Sequence, residues 1–200
     1  MADLLTGKRK DQITEVAQNL FKERGYAATS MRDLAKAVGV EPASLYSHIR
    51  SKEELLSNIC HRIADEFLIK IEEVLQLDSS PVDQFRLAVI AHVKVIVHNL
   101  DATAVFFNEW RHLSGEELAL FMHKRRKYED YFRSILVRGI DDKVFKETEV
   151  PFAMRLMFSV LNGTHEWYHR EGRLKPEEIG NRICELLLNG MFREIDNPTL

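Results

Sequence analysis

One stretch of this chain has the residue types and spacing to activate a metal-bound water: His165-Glu166-Trp167-Tyr168-His169. On a helix, H-E-x-x-H puts two imidazoles on one face as zinc ligands, with the glutamate beside them as general base. The chain continues through Gly172 to Lys175, where the longer zinc-protease pattern needs a third histidine. A protonated ammonium has no lone pair for a metal, so Lys175 breaks the ligand set. The downstream carboxylates Glu177, Glu178 and Glu185 would have to be brought round by a separate helix. A zinc peptidase built on His165, Glu166 and His169 is the enzyme alternative; the expectation is no metal, no cofactor and no catalytic residue. Elsewhere, His92, His98, His112 and His123 show no paired ligand spacing on a shared face, and neither a glycine-rich phosphate loop nor a nucleophile elbow occurs. Lys124-Arg-Arg-Lys127 suits either bidentate phosphate binding or a solvated helix face. Cys60 and Cys184, far apart and each within a predicted helix, read as buried, reduced thiols.

The stretch from Ser30 to Leu56 carries a different chemistry. Ser30 suits a helix N-cap, with Asp33 near the positive end of that helix. Gly39 stands where the chain leaves the helix, a place for a left-handed residue. Pro42 takes the first position of a second short helix, where its missing N–H costs nothing. Two small helices joined by a glycine-containing turn form a DNA-reading helix-turn-helix. Ser51 to Glu54 then reads as a capping box that starts a longer helix. Residues 1–56 hold nine Lys/Arg against eight Asp/Glu, a balance of +1 within a chain of net −3. Charge alone therefore does not reveal a nucleic-acid surface. Placement does: Lys8, Arg9 and Lys10 are expected to open the first helix, Arg32 the second and Lys52 the fourth, where phosphates are favoured.

Thr29-Ser-Met-Arg-Asp-Leu-Ala, Val38-Gly-Val, Leu45-Tyr-Ser-His-Ile49 and Ser51-Lys-Glu-Glu-Leu-Leu56 resemble the DNA-binding head of the TetR family of bacterial regulators. Ile13 to Tyr26 resembles that family's first helix. Two positions depart from the usual pattern: Glu41 stands where serine or threonine commonly caps the reading helix, and Ile49 where phenylalanine is frequent. The resemblance implies that helix Pro42–His48 enters the major groove. Ala43 and Ser44 would then meet base edges, and Thr29, Tyr46, His48 and Lys52 would hold phosphates, with Ser30, Arg32 and Pro42 completing the DNA-facing set. Phe106 to Glu117, Arg125 to Arg133 and Leu161 to Ile179 are similar to a branch of the family tied to fatty-acid, aromatic-acid or steroid breakdown, whose effectors are frequently acyl-CoA thioesters. That implies a homodimeric repressor of a palindromic operator, released by a small apolar effector; repression of an efflux pump is the alternative.

The elements that must position these residues are helical throughout. Ile13, Val16, Ala17, Leu20 and Phe21 share one helix face ending at Gly25. Further helices are expected at about 51–76, at 81–100 behind Ser80 and Pro81, at 101–110 capped by Asp101, and at 114–139. The last two are expected at 149–171 and 176–195. No strand-like alternation, repeat or low-complexity segment occurs. The expected class is all-α: a head at 1–50, with the helix-turn-helix at about 30–49, and a ligand-binding and dimerisation body at 51–200. Phe106, Phe107, Trp110, Phe121, Phe158 and Trp167 could line an effector pocket or fill core. Ile179, Ile183, Leu186, Leu187, Gly190 and Met191 suit a helical seam, which periodicity assigns equally to a dimer or to the chain's own core; the family resemblance favours the dimer. With 45% hydrophobic and 30% charged residues, no apolar run of membrane-span length and no signal-peptide core at the start, the expected setting is cytoplasmic.

Overall fold

Capping residues and the limits of apolar periodicity set the elements. A computed structural model describes residues 2–189, with side chains from Arg9 onward. Every regular element among these residues is helical: α1 (Ala2–Arg24), α2 (Met31–Val38), α3 (Pro42–Tyr46), α4 (Lys52–Leu75), α5 (Pro81–His98), α6 (Leu100–Glu109), α7 (Gly115–Asp141), α8 (Val150–Asn162), α9 (Thr164–Trp167) and α10 (Pro176–Asn189). A 3₁₀ turn, Trp110–His112, follows α6. No single helix among them is long and apolar enough to cross a membrane.

Local chemistry accounts for most of the boundaries. At α2 the capping box closes on both sides: Ser30 Oγ accepts from Asp33 N–H at 3.2 Å, and Asp33 accepts from Ser30 N–H at 2.9 Å. Gly39 ends the helix at φ +74°, a left-handed conformation that costs an L side chain energy. Ser51 accepts from Glu54 N–H at 3.0 Å, while the Glu54 carboxylate reaches one residue further back than expected, to Arg50 N–H at 2.8 Å. Ser80 accepts from Asp83 N–H at 3.1 Å, directly before Pro81 opens α5.

The helices assemble into two compact units, Met1–Glu66 with Asn99–Arg125 and Phe67–His98 with Arg126–Leu200. In the first, Ile13, Ala17 and Phe21 of α1, Leu34 of α2, Leu45 of α3 and Leu55, Leu56 and Ile59 of α4 are almost wholly excluded from water, and α6 packs on α1. In the second, α10 lies along α5 so closely that a β-carbon on Gly180 would stand 2.8 Å from Ile90 Cγ1.

Several boundaries depart from expectation. Lys8, Arg9 and Lys10 lie inside α1, which already begins at Ala2. The short α3 ends at Tyr46 instead of His48, because Ser47 Oγ turns back to Ser44 O at 2.7 Å and both His48 and Ile49 N–H groups converge on Leu45 O. Asn99, not Asp101, takes the cap position of α6; Asp101 pairs with Lys22 at 2.6 Å. The helix expected at 149–171 stops at Asn162, because Asn162-Gly163-Thr164 is a poor helix former. Only the single turn of α9 follows, and Tyr168 is already extended. Gly190 and Met191 lie outside the described residues.

Candidate functional site

The surface best suited to nucleic acid is made by burying one side of α3 and leaving the other in water. Leu45 and Ile49 are fully buried, and α3 packs on α2. Pro42, Ala43, Ser44, Tyr46 and Ser47 face outward, and Tyr46 is 54% exposed. Arg32, Lys36 and Arg50 are also exposed. Hydrogen bonds from Ser30 hold the Asp33 carboxyl below its usual range, so it remains an anion that serves the start of α2. Glu41 makes no side-chain cap bond, as its residue type implies.

Two residues matched to phosphate contacts also make hydrogen bonds inside the head. Thr29 is 1% exposed, and its hydroxyl donates to Gly25 O at 2.9 Å. The Lys52 ammonium donates to Tyr26 O at 2.7 Å and Thr29 O at 2.8 Å, and lies 4.2 Å from the Tyr26 ring centre. An ammonium has three donors, and this turn takes two of them while its ring faces the charge. Lys52 and Thr29 thereby fix the Tyr26–Thr29 turn that delivers the chain to α2. Lys10 is likewise paired, with Glu54 at 3.0 Å. His48 is half-buried, with a buried Nδ1 that has no partner among the described residues.

The H-E-x-x-H stretch loses the geometry that gave it meaning. His165 lies in α9 and donates through Nδ1 to Asn162 O at 2.5 Å, whereas Tyr168 takes extended backbone at ψ 132°. His169 therefore does not follow His165 one helical turn later on the same face. Lys124 pairs with Asp65 at 2.6 Å and Lys127 with Glu72 at 2.7 Å, which makes the basic run largely a paired helix face. Burial raises both thiols, Cys60 to about 12 and Cys184 to about 11, so neither is a thiolate.

The aromatic residues proposed for a pocket separate into two groups. Phe106, Phe107, Trp110 and Phe121 belong to the first unit, where Trp110 stacks on Phe121 at 5.6 Å between centroids. Phe158 belongs to the second unit and packs on Phe132 at 5.3 Å, Tyr128 at 6.0 Å and His92 at 6.2 Å. Trp167 is half exposed. Inside this second group lies a polar pair that no spacing along the chain announces. His92 is 2% exposed, and its Nδ1 stands 2.9 Å from the Tyr128 hydroxyl. Burial lowers the His92 imidazole to about 3 and raises the Tyr128 phenol well above its ordinary value, so both are neutral. The available signal was a lone histidine on the apolar face of α5, among Val89, Val93 and Ile96.

Of the residues assigned to a dimer seam, Ile179 and Ile183 are buried within the chain, on the face of α10 that packs on α5. Leu186 is 56% exposed and Leu187 is half-buried. A second apolar stripe lies on α8, where Phe152, Leu156 and Val160 recur every four residues and are 60%, 51% and 39% exposed.

Comparison with known proteins agrees with the fold. Residues 13–59 match the family described as bacterial regulatory proteins, tetR family, and residues 78–191 match the tetracyclin repressor-like C-terminal domain. The chain is 25% identical to the HTH-type transcriptional repressor KstR2 of Mycolicibacterium smegmatis, over 92% of this chain and 90% of that one. The crystal structure of the TetR family transcriptional regulator PfmR from Thermus thermophilus superimposes with a TM-score of 0.81 at 33% identity, covering 90% of this chain and 99% of that one. AibR, solved in complex with isovaleryl coenzyme A and operator DNA, is similar in fold, with a TM-score of 0.80 at 24% identity over 92% of this chain and 100% of that one.

Proposed function

Because the chain belongs to the TetR family of bacterial regulatory proteins, we propose that it is a cytoplasmic, homodimeric repressor that leaves its operator when an acyl-CoA thioester binds. Residues 1–50 act as the reading head and 51–200 as the sensing and dimerising body. The observation that carries the DNA-reading part is the exposed outer face of α3, with Ala43, Ser44 and Tyr46 in water and Leu45 buried behind them. A small residue and a hydroxyl at the start of a short helix suit a thymine methyl and a base edge. Tyr46 and the exposed Arg32 are the groups to fix register on phosphates.

A dimer reads two half-sites about 34–36 Å apart, so spreading the heads removes simultaneous engagement. The exposed stripe Phe152-Leu156-Val160, with Leu186, supports a dimer face made by α8 and α10. The thioester reading draws on AibR, which binds isovaleryl coenzyme A. A near-complete switch, from 1:99 to 99:1, requires the effector to favour the released state by roughly 5.5 kcal/mol.

Fluorescence anisotropy with labelled DNA from upstream of the protein's own gene tests the whole reading. The protein should bind with strong salt dependence and be released by an acyl-CoA but not by free coenzyme A. Ser44→Ala should leave the salt slope alone and relax preference at one position per half-site by about 1–3 kcal/mol. Absence of binding to that DNA at low salt would remove the repressor reading.

A further inference from the structure

The interior of the second unit holds two buried polar atoms with no partner among the described residues: His92 Nε2 and Thr164 Oγ1. His92 is 2% exposed and Thr164 0% exposed, and they sit on helices that pack together, α5 and α9. They do not satisfy each other, since each remains unpaired. Around the imidazole stand Phe67 at 4.7 Å, Tyr128 at 5.9 Å and Phe158 at 6.2 Å between ring centres. Buried polar groups are nearly always hydrogen-bonded, so an unmet imidazole nitrogen in an aromatic wall marks a place where something else completes the bond.

What completes it is constrained by charge. No Asp, Glu, Lys or Arg is among the buried residues described. A carboxylate brought here would be an unpaired ion, the costliest group to bury. The 2.9 Å contact suits a Tyr128 hydroxyl that donates to Nδ1, the phenol being the stronger donor, and in that tautomer the other imidazole nitrogen carries the N–H. That N–H needs an acceptor that carries no charge.

We propose that His92, oriented by Tyr128 and assisted by Thr164, binds the uncharged carbonyl oxygen of the effector's acyl portion and so selects a thioester or ketone over the free acid. This rests on the acyl-CoA reading and names the atom that the site recognises. His92 contacts the ligand directly; Tyr128 is a positioning residue that fixes the imidazole tautomer.

A ligand-by-residue cycle tests the assignment. Operator release is titrated with octanoyl-CoA, with S-octyl-CoA (the thioether lacking only the carbonyl oxygen), with a keto-bearing S-alkyl-CoA, and with octanoate. Wild type, His92→Phe, Tyr128→Phe and Thr164→Val are compared, with thermal melts confirming that each variant is folded. Wild type should need at least tenfold more thioether than thioester, and octanoate should not release DNA. His92→Phe should respond alike to thioester and thioether, and Tyr128→Phe should lose part of the discrimination. Rescue by the ketone would identify a chain keto group as the partner; failure of rescue would identify the thioester carbonyl. Undiminished thioester preference in His92→Phe would overturn this assignment alone. A wild type that keeps its operator against every thioester would overturn the acyl-CoA reading and this assignment with it. Nitrogen NMR of labelled histidine supplies a check independent of effector: His92 must show a protonated Nε2 in the free protein, and an unprotonated Nε2 would refute the proposal.

Discussion

Lys52 illustrates how a residue matched to one role can carry a second inside the fold. Its sequence position, directly after a capping serine, suits a phosphate; its ammonium is bonded to Tyr26 O and Thr29 O. Lys52→Ala should therefore destabilise the head by about 2 kcal/mol, the scale of hydrogen bonds to a charged donor. Urea denaturation measures that loss. The salt slope of operator binding should remain unchanged; a slope flattened by about 0.9 per subunit would return Lys52 to the phosphates. His92 gives a second test at this scale. Its folded value of about 3 lies below the 6.5 of the free side chain. Between those values the unfolded chain takes up a proton that the native protein excludes, so stability falls as pH drops below about 6.5. From pH 7.5 to 5 this group removes about 2 kcal/mol, at about 1.4 kcal/mol per unit of pH. Urea melts of wild type and His92→Phe across that range should diverge by this amount, and parallel curves would mean that His92 is solvated.

Among the elements, glycines separate backbone cost from packing cost. Gly39 lies at φ +74°, and a β-carbon added there would meet nothing within 4 Å. Gly39→Ala should cost about 1–2 kcal/mol through the left-handed conformation alone. Gly180 is the opposite case: its backbone is ordinary helix, but a β-carbon would meet Ile90 at 2.8 Å. Gly180→Ala should force α10 away from α5 and cost about 1–3 kcal/mol, the range for overpacking. Thermal melts of the two variants check both, and a neutral Gly180→Ala would show that α10 shifts freely. The same reasoning explains α8. A sequence periodic enough for a long helix still broke at Asn162-Gly163-Thr164, and the break placed Thr164 in the interior and separated His165 from His169.

At the scale of the whole molecule, the question is which apolar face remains for a second copy. Ile179 and Ile183 are consumed by α5, whereas Phe152, Leu156, Val160 and Leu186 remain in water. Leu156→Glu should place an unpaired charge in the proposed seam and shift the protein from dimer to monomer or aggregate, with operator affinity lost in parallel. Sedimentation velocity measures this. A variant that stays dimeric at wild-type operator affinity would place the interface elsewhere.

The helical class, the helix-turn-helix and the family resemblance are legible along the chain, because caps, turn glycines and apolar periodicity are local and act over three or four residues. Ser30, Gly39, Pro42 and Ser51 could be interpreted without knowing any distant neighbour. Which face of a helix meets which partner is not local. Packing in three dimensions brings Lys52 and Thr29 onto the head's own turn, and it turns Ile179 and Ile183 of α10 toward α5. It also paired His92 with Tyr128, thirty-six positions away, and left Nε2 unmet. Long-range burial sets those outcomes: it changes what a polar group can ionise to and whom it can reach, and no spacing along the chain encodes it.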